Sequence, residues 1–182
     1  MIVVALSVGF GLSWFALTDG RLFGALQVGP WAAWPQAGTA VPDPYTRAHL
    51  SRTGALQLGQ SEGLQFIATT DSDGRPLLRR CRYRIDGTTP VATFWTLVAL
   101  DPDGINIARP DSPPASNGTR IARANDGSVV LYVSRSLAPR NWLEITGDGP
   151  FSLALTFYDT QIFAGFGTAV ETLPAITREA CG

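Results

Sequence analysis

The chain is expected to be all-β: an antiparallel sandwich or jelly roll with one short helix ahead of it. Three observations predict this. Short runs of alternating apolar and polar residues recur from Gly63 onward. Between them stand Asp-Gly turns at Asp73-Gly74, Asp86-Gly87, Asp103-Gly104, Asp126-Gly127 and Asp148-Gly149, the residues that tight turns between strands use. Ala92–Leu100 is nearly continuous apolar sequence, as in a strand at the centre of a sandwich. No internal repeat or heptad is present.

Residues 1–17 carry no charged side chain. As a helix rising about 1.5 Å per residue they reach roughly 25 Å, close to the hydrocarbon thickness of a bilayer. A secretory signal would need a basic leading region and a small-x-small cleavage site. No Arg or Lys precedes Asp19, and Trp14–Gly20 offers no such site. A retained transmembrane anchor over residues 1–28 is therefore expected. Trp31 and Trp34 are placed to sit at the membrane interface. Ser7 and Gly11, with Gly9 and Ser13, put small residues four apart, which suits close packing against another helix in lipid. The partner implied is a second copy or integral membrane subunits. The expected location is the bacterial inner membrane, single-pass, with the C-terminal domain in the periplasm.

Residues 29–42, broken by Gly29-Pro30 and Pro35, read as a membrane-proximal linker, and residues 43–182 as the β-sandwich domain. Asp43-Pro44 starts the short helix, with Asp43 accepting from a free backbone N–H and Pro44 at the first helical position. It should run to about Thr53 and stop at Gly54. Strands are predicted at Gly63–Thr70, Leu77–Ile85, Ala92–Leu100, Ile105–Ala108, Ser128–Ser134 and Phe151–Tyr158. In the second of these, Cys81, Tyr83 and Ile85 share one face and Arg80, Arg82 and Arg84 the other. A Pro/Ser-rich loop spans 109–119, and Trp142 falls in a loop after Pro139-Arg140-Asn141.

The length suffices for one core without metal support. Net charge is -1 and all 14 basic residues are arginine, so no global field draws nucleic acid. Arg75, Arg79, Arg80, Arg82 and Arg84 lie close in sequence, as a solvated strand face or as a contact for acidic lipid or an acidic partner. The two cysteines, Cys81 and Cys181, could bridge and clip the C-terminal tail to the sheet, or remain as two buried thiols.

Several of these stretches together resemble the bacterial domain-of-unknown-function 1214 family over roughly residues 29–181. They are Gly29-Pro30-Trp31, Asp43-Pro44-Tyr45-Thr46-Arg47-Ala48, Glu62-Gly63-Leu64-Gln65-Phe66 before Asp71-Ser72-Asp73-Gly74, Cys81-Arg82-Tyr83, Phe94-Trp95-Thr96-Leu97, Asn141-Trp142-Leu143 and Phe151 to Asp159. The resemblance implies a jelly-roll-like sandwich, often behind a short membrane helix, and carries over no catalytic residues. Glu144 stands where the family pattern leads one to expect proline.

Chemistry finds little material. His49 is the only histidine, which leaves nucleophile–His arrangements and multi-His zinc sites without ligands. Asp71-Ser72-Asp73-Gly74 and Asp101-Pro102-Asp103-Gly104 start like calcium loops but lack the later ligands, and read as turns. Asn117-Gly118-Thr119 matches the glycosylation pattern by chance, and no phosphate loop is present. No cofactor is expected. The leading expectation is a non-catalytic accessory or stabilising subunit of a larger inner-membrane complex. A second reading is a module binding envelope glycan or a small ligand through Trp142, Asn141 and the arginine face. A third is a hydrolase with two facing carboxylates.

Overall fold

The computed structural model describes residues 1–19, 25–39, 41–53, 58, 62–89, 92–160 and 173–182. Helix α1 (Ile2–Asp19) is followed by strands β1 (Leu26–Val28) and β2 (Trp31–Ala33), a 3-10 turn at Pro35–Gly38 and helix α2 (Pro44–Thr53). Eight further strands follow: β3 (Gly63–Ala68), β4 (Cys81–Gly87), β5 (Ala92–Leu100), β6 (Ser116–Asn117), β7 (Val129–Ser134), β8 (Asn141–Glu144), β9 (Ser152–Thr160) and β10 (Ala175–Cys181). One sheet has the order β1-β2-β3-β9-β5-β6 and the other β10-β4-β7-β8.

The inner faces of the two sheets supply one core. Trp31, Phe66, Leu97, Leu155 and Phe157 come from the larger sheet and Tyr83, Ile85, Leu131, Val133 and Ile176 from the smaller. Phe66 meets Phe157 edge-on at 6.0 Å and Tyr83 meets Phe151 at 5.7 Å, the arrangement that ring quadrupoles favour. Ala92–Leu100 forms β5 with the predicted bounds, and Trp95 is buried there as core. Gly118 is forced by this packing, since a Cβ there would stand 2.8 Å from the Trp95 indole nitrogen. Asn117 is spent on its own turn: its Oδ1 accepts from the Thr119 N–H and hydroxyl and from the Arg120 N–H.

Helix α2 starts as its sequence dictates. Asp43 Oδ1 accepts the Thr46 N–H at 3.0 Å and Oδ2 accepts the Thr46 hydroxyl, which satisfies a donor in the first turn. Its expected stop, Gly54, and the side chain of His49 lie outside the described residues.

Four expectations are corrected. Residues 29–42 are more than a linker: Gly29, at φ +58, and Pro30 form a two-residue turn that pairs Val28 with Trp31, so β1 and β2 extend the larger sheet. A glycine at positive φ in the first turn position gives the backbone twist that such hairpins require. Trp31, expected at the membrane interface, is instead fully buried, and its Nε1–H donates to the Pro174 carbonyl at 2.8 Å. The expected single anchor helix over 1–28 is not formed, because α1 ends at Asp19 and β1 begins at Leu26. Among the described residues no helix is long and apolar enough to cross a membrane.

The fourth correction concerns strand direction. Among the described residues all strand pairs are antiparallel except β7 and β8, which run parallel with Leu131 beside Asn141. Residues 135–140 therefore return about 10 Å along the strand, three residues at roughly 3.3 Å each. Arg140 takes φ +64 in this return. Trp142 accordingly lies on a strand and not in a loop.

Candidate functional site

The smaller sheet carries the disulfide and the alternating arginines of β4. Along β4 the side chains alternate as the sequence requires: Cys81, Tyr83 and Ile85 are buried, and Arg82 and Arg84 face outward, half-exposed. Cys81 and Cys181 stand directly opposite in the β4–β10 register and form a disulfide that closes 100 residues of chain. Of the two alternatives for the cysteines, the bridge is the one realised.

Above this bridge, β10 locks the connection between β3 and β4. Arg178 Nε lies 3.2 Å from Asp71 Oδ2, off the line of a good hydrogen bond, and the Asp71 side chain has no solvent exposure. The Arg178 guanidinium also sits over the Tyr83 ring at 5.6 Å. Such a pair is costly to break from one side, because the remaining charge is stranded away from water.

At the same end of the smaller sheet, Arg80, Arg82, Ser134, Arg135 and Ser136, with Ala180 and Gly182 of the tail, line an open groove of about 380 Å³ beside the disulfide. Arg82 Nη2 donates to Ser136 Oγ at 3.2 Å, and Arg135 Nη1 pairs with Asp148 Oδ1 at 2.7 Å. Arg80 has no side-chain partner among the described residues. The groove is thus lined by three guanidinium groups, one of them paired with an aspartate beyond the lining.

The structure divides the sequence-predicted contact residues. Arg80 and Arg82 meet in the groove. Arg84 is turned to Asp86 at 2.7 Å, two residues along the same strand face. Asn141 is consumed by the fold: its Nδ2–H donates to the carbonyls of Ala122 and Val130, and its Oδ1 accepts the Ala122 N–H, all at 2.8 Å. Trp142 is half-buried, and its Nε1–H reaches Ser134 Oγ at 3.1 Å and the Ser134 carbonyl at 3.2 Å. Neither lines the groove, so the arrangement suits an ion more than a stacked sugar ring. Sequence reasoning missed Arg135, Ser134 and Ser136, which reach the groove only because β7 runs antiparallel to β4. It also missed the Asp71–Arg178 pair.

Ser7, Gly9, Gly11 and Ser13 are exposed on α1, and nothing stands within 4 Å of a Cβ built at either glycine. Trp34 is half-buried just before the 3-10 turn.

The turn carboxylates are used locally. Asp71 Oδ1 accepts the N–H groups of Asp73 and Arg75, and Asp101 Oδ1 those of Asp103 and Ile105. Asp126 is held below the usual carboxylate range by hydrogen bonds from the Ser128 hydroxyl and backbone N–H. Among the described residues no group of three or more His, Cys, Asp or Glu is placed to hold a metal ion.

Two mostly antiparallel sheets over a shared core define the chain as a β-sandwich protein. Residues 62–162 match the family described as "Protein of unknown function (DUF1214)", and the chain belongs to that family. Two solved structures are similar in fold. The VPA0106 protein of Vibrio parahaemolyticus shares 21% identity at a TM-score of 0.59, over 75% of this chain and 35% of that one. An uncharacterized protein of Burkholderia cenocepacia shares 18% identity at a TM-score of 0.51, over 96% of this chain and 52% of that one. The chain thus spans about a third and a half of these two proteins. No curated protein matches it.

Proposed function

We propose that the chain is a non-catalytic, membrane-anchored periplasmic domain that serves as an accessory or stabilising subunit of a larger inner-membrane complex. The observation that carries this reading is the condition of α1. Its side chains from Ile2 to Phe15 are exposed, with Phe10 at 75% and Trp14 at 67%, and none of them is charged. A helix that is apolar on every side needs lipid or protein around its whole circumference. Water does not fit, because the helix offers it no polar stripe; lipid, with another helix against the small residues, does.

The helix has 18 residues, or about 27 Å, slightly short of a roughly 30 Å hydrocarbon layer. A short hydrophobic segment is relieved by local thinning or by association with other helices. Here Ser7, Gly9, Gly11 and Ser13 leave room for a close neighbour. The disulfide fits an oxidising compartment such as the periplasm. The accessory role is supported by the uses found for the described side chains: the turn carboxylates, Asn141 and Trp142 all serve the fold.

Membrane fractionation followed by purification in mild detergent tests this. The chain is expected in the membrane fraction and in a detergent complex larger than the monomer, and Gly9→Leu/Gly11→Leu should release it from that complex while leaving it in the membrane. Recovery in the soluble fraction with α1 intact, or elution always as a monomer, would overturn the reading.

A further inference from the structure

We propose that the groove beside the Cys81–Cys181 bridge is a binding site for a phosphate-bearing small molecule. The whole chain has a net charge of -1, so cations do not gather here through a general excess. Yet Arg80, Arg82 and Arg135 converge on one groove of about 380 Å³, a volume in the range of small-molecule sites. Guanidinium groups present flat pairs of donors that match phosphate oxygens two at a time.

Each arginine is left able to serve. Arg80 is exposed and unpaired among the described residues, and its backbone is fixed where the Gly182 N–H donates to its carbonyl at 3.1 Å. Arg82 is steered by Ser136 through a single donor, Nη2, which leaves its other donors unassigned. Arg135 is paired with Asp148, whose side chain is 83% exposed; such a pair is weak and yields to a stronger anion. The disulfide holds the tail strand as one wall, and Ser136 adds a hydroxyl group, while the buried Ser134 hydroxyl is spent on the Ser136 carbonyl and the Trp142 indole.

The position of the groove argues for a soluble ligand over a lipid headgroup. Strand β2 runs antiparallel to β3, so Ala33 and the 3-10 turn after it lie toward the Gly63 end of β3, whereas from Ala68 at its other end the chain goes on to β4 and Cys81, beside the groove. Helix α1 approaches α2 over a few residues, and α2 approaches the 3-10 turn that follows β2. The helices and the groove therefore occupy opposite ends of the sandwich. With α1 in a bilayer, the groove faces away from it. This choice of source rests on the membrane reading; the anion chemistry does not.

The test uses the full chain in a non-ionic detergent, titrated with inorganic pyrophosphate in a calorimeter, with phosphatidylglycerol vesicles as a second arm. Binding with a Kd at or below about 1 mM is expected, together with a loss of roughly tenfold or more in Arg80→Gln/Arg82→Gln. Arg120→Gln, outside the groove, should bind as the parent does. Arg80 is exposed and Arg82 half-exposed, so the double variant should keep its circular dichroism; if it does not, Arg80→Gln alone is read in its place. No binding in either arm, or equal binding by the variant, would overturn the site. Arginine-dependent binding to vesicles alone would replace the small molecule with a headgroup. Membrane fractionation reads the anchor separately, so failure of one reading is visible without failure of the other.

Discussion

Two turns of this protein share the pattern Asp-x-Asp-Gly and the same local hydrogen bonds, yet one is tied to a distant strand and the other is not. In both, the N–H of the first aspartate donates at 2.8 Å to the carbonyl four residues on, Arg75 or Ile105. In both, the glycine N–H returns at 3.0 Å to the aspartate carbonyl, with φ +81 at Gly74 and +80 at Gly104. The difference begins at the second residue. The Ser72 N–H donates to the Ile176 carbonyl at 2.9 Å, and the Ser72 hydroxyl accepts the Ile176 N–H at 2.9 Å. Pro102 has neither a backbone donor nor a hydroxyl, and its turn remains on the surface. Local sequence sets the shape of the turn; whether it becomes part of the tertiary structure depends on what can bond to a strand about 100 residues away.

The largest test of this contrast removes the first aspartate from each turn. Asp71→Ala deprives Arg178 of its carboxylate and two N–H groups of their acceptor, and should destabilise the fold by about 3–5 kcal/mol. Asp101→Ala removes two half-exposed bonds that water can replace, and should cost about 1 kcal/mol or less. Urea denaturation of both variants measures the difference. Equal losses would show that the buried ion pair adds nothing beyond the turn itself.

The disulfide sharpens the same comparison. It fixes the end of β10, three residues beyond Arg178, so it should hold that guanidinium over Asp71. The double substitution Cys81→Ser/Cys181→Ser is expected to cost about 2–5 kcal/mol. In that background the penalty for Asp71→Ala should shrink, with a coupling of roughly 0.5–3 kcal/mol, while that for Asp101→Ala should not change. Strict additivity at Asp71 would mean that β10 keeps its place without the bridge.

Much of this was legible in the sequence, and the failures have physical causes. The strand Ala92–Leu100, the start of α2 at Pro44 and the outward arginines of β4 follow from patterns contained within a few residues. Strand β2 was hidden because Gly29-Pro30, which reads as a break, is the turn of a hairpin. Strand β8 has only four residues, too few for a period to show, and its parallel pairing depends on the return of residues 135–140. In β10 only Ile176 among the described side chains is fully buried, so an edge strand with Thr177, Arg178 and Glu179 carries no hydrophobic alternation. The groove was half visible: Arg80 and Arg82 are neighbours in sequence, whereas Arg135 joins them through strand pairing alone.

The smallest effect isolates the part of the two turns that should be identical. Gly74 and Gly104 take nearly the same positive φ, and no atom lies within 4 Å of a Cβ built at either position. Alanine is therefore not excluded by space in either turn, and its penalty comes only from the backbone conformation, about 1–2 kcal/mol. Gly74→Ala and Gly104→Ala should accordingly lower stability by the same amount within about 0.5 kcal/mol, although one turn is locked to β10 and the other is free of it. A much larger loss at Gly74, measured by the same urea titration, would mean that the backbone of the tethered turn is strained into register with β10, and that local and long-range contributions at that end of the sandwich cannot be separated.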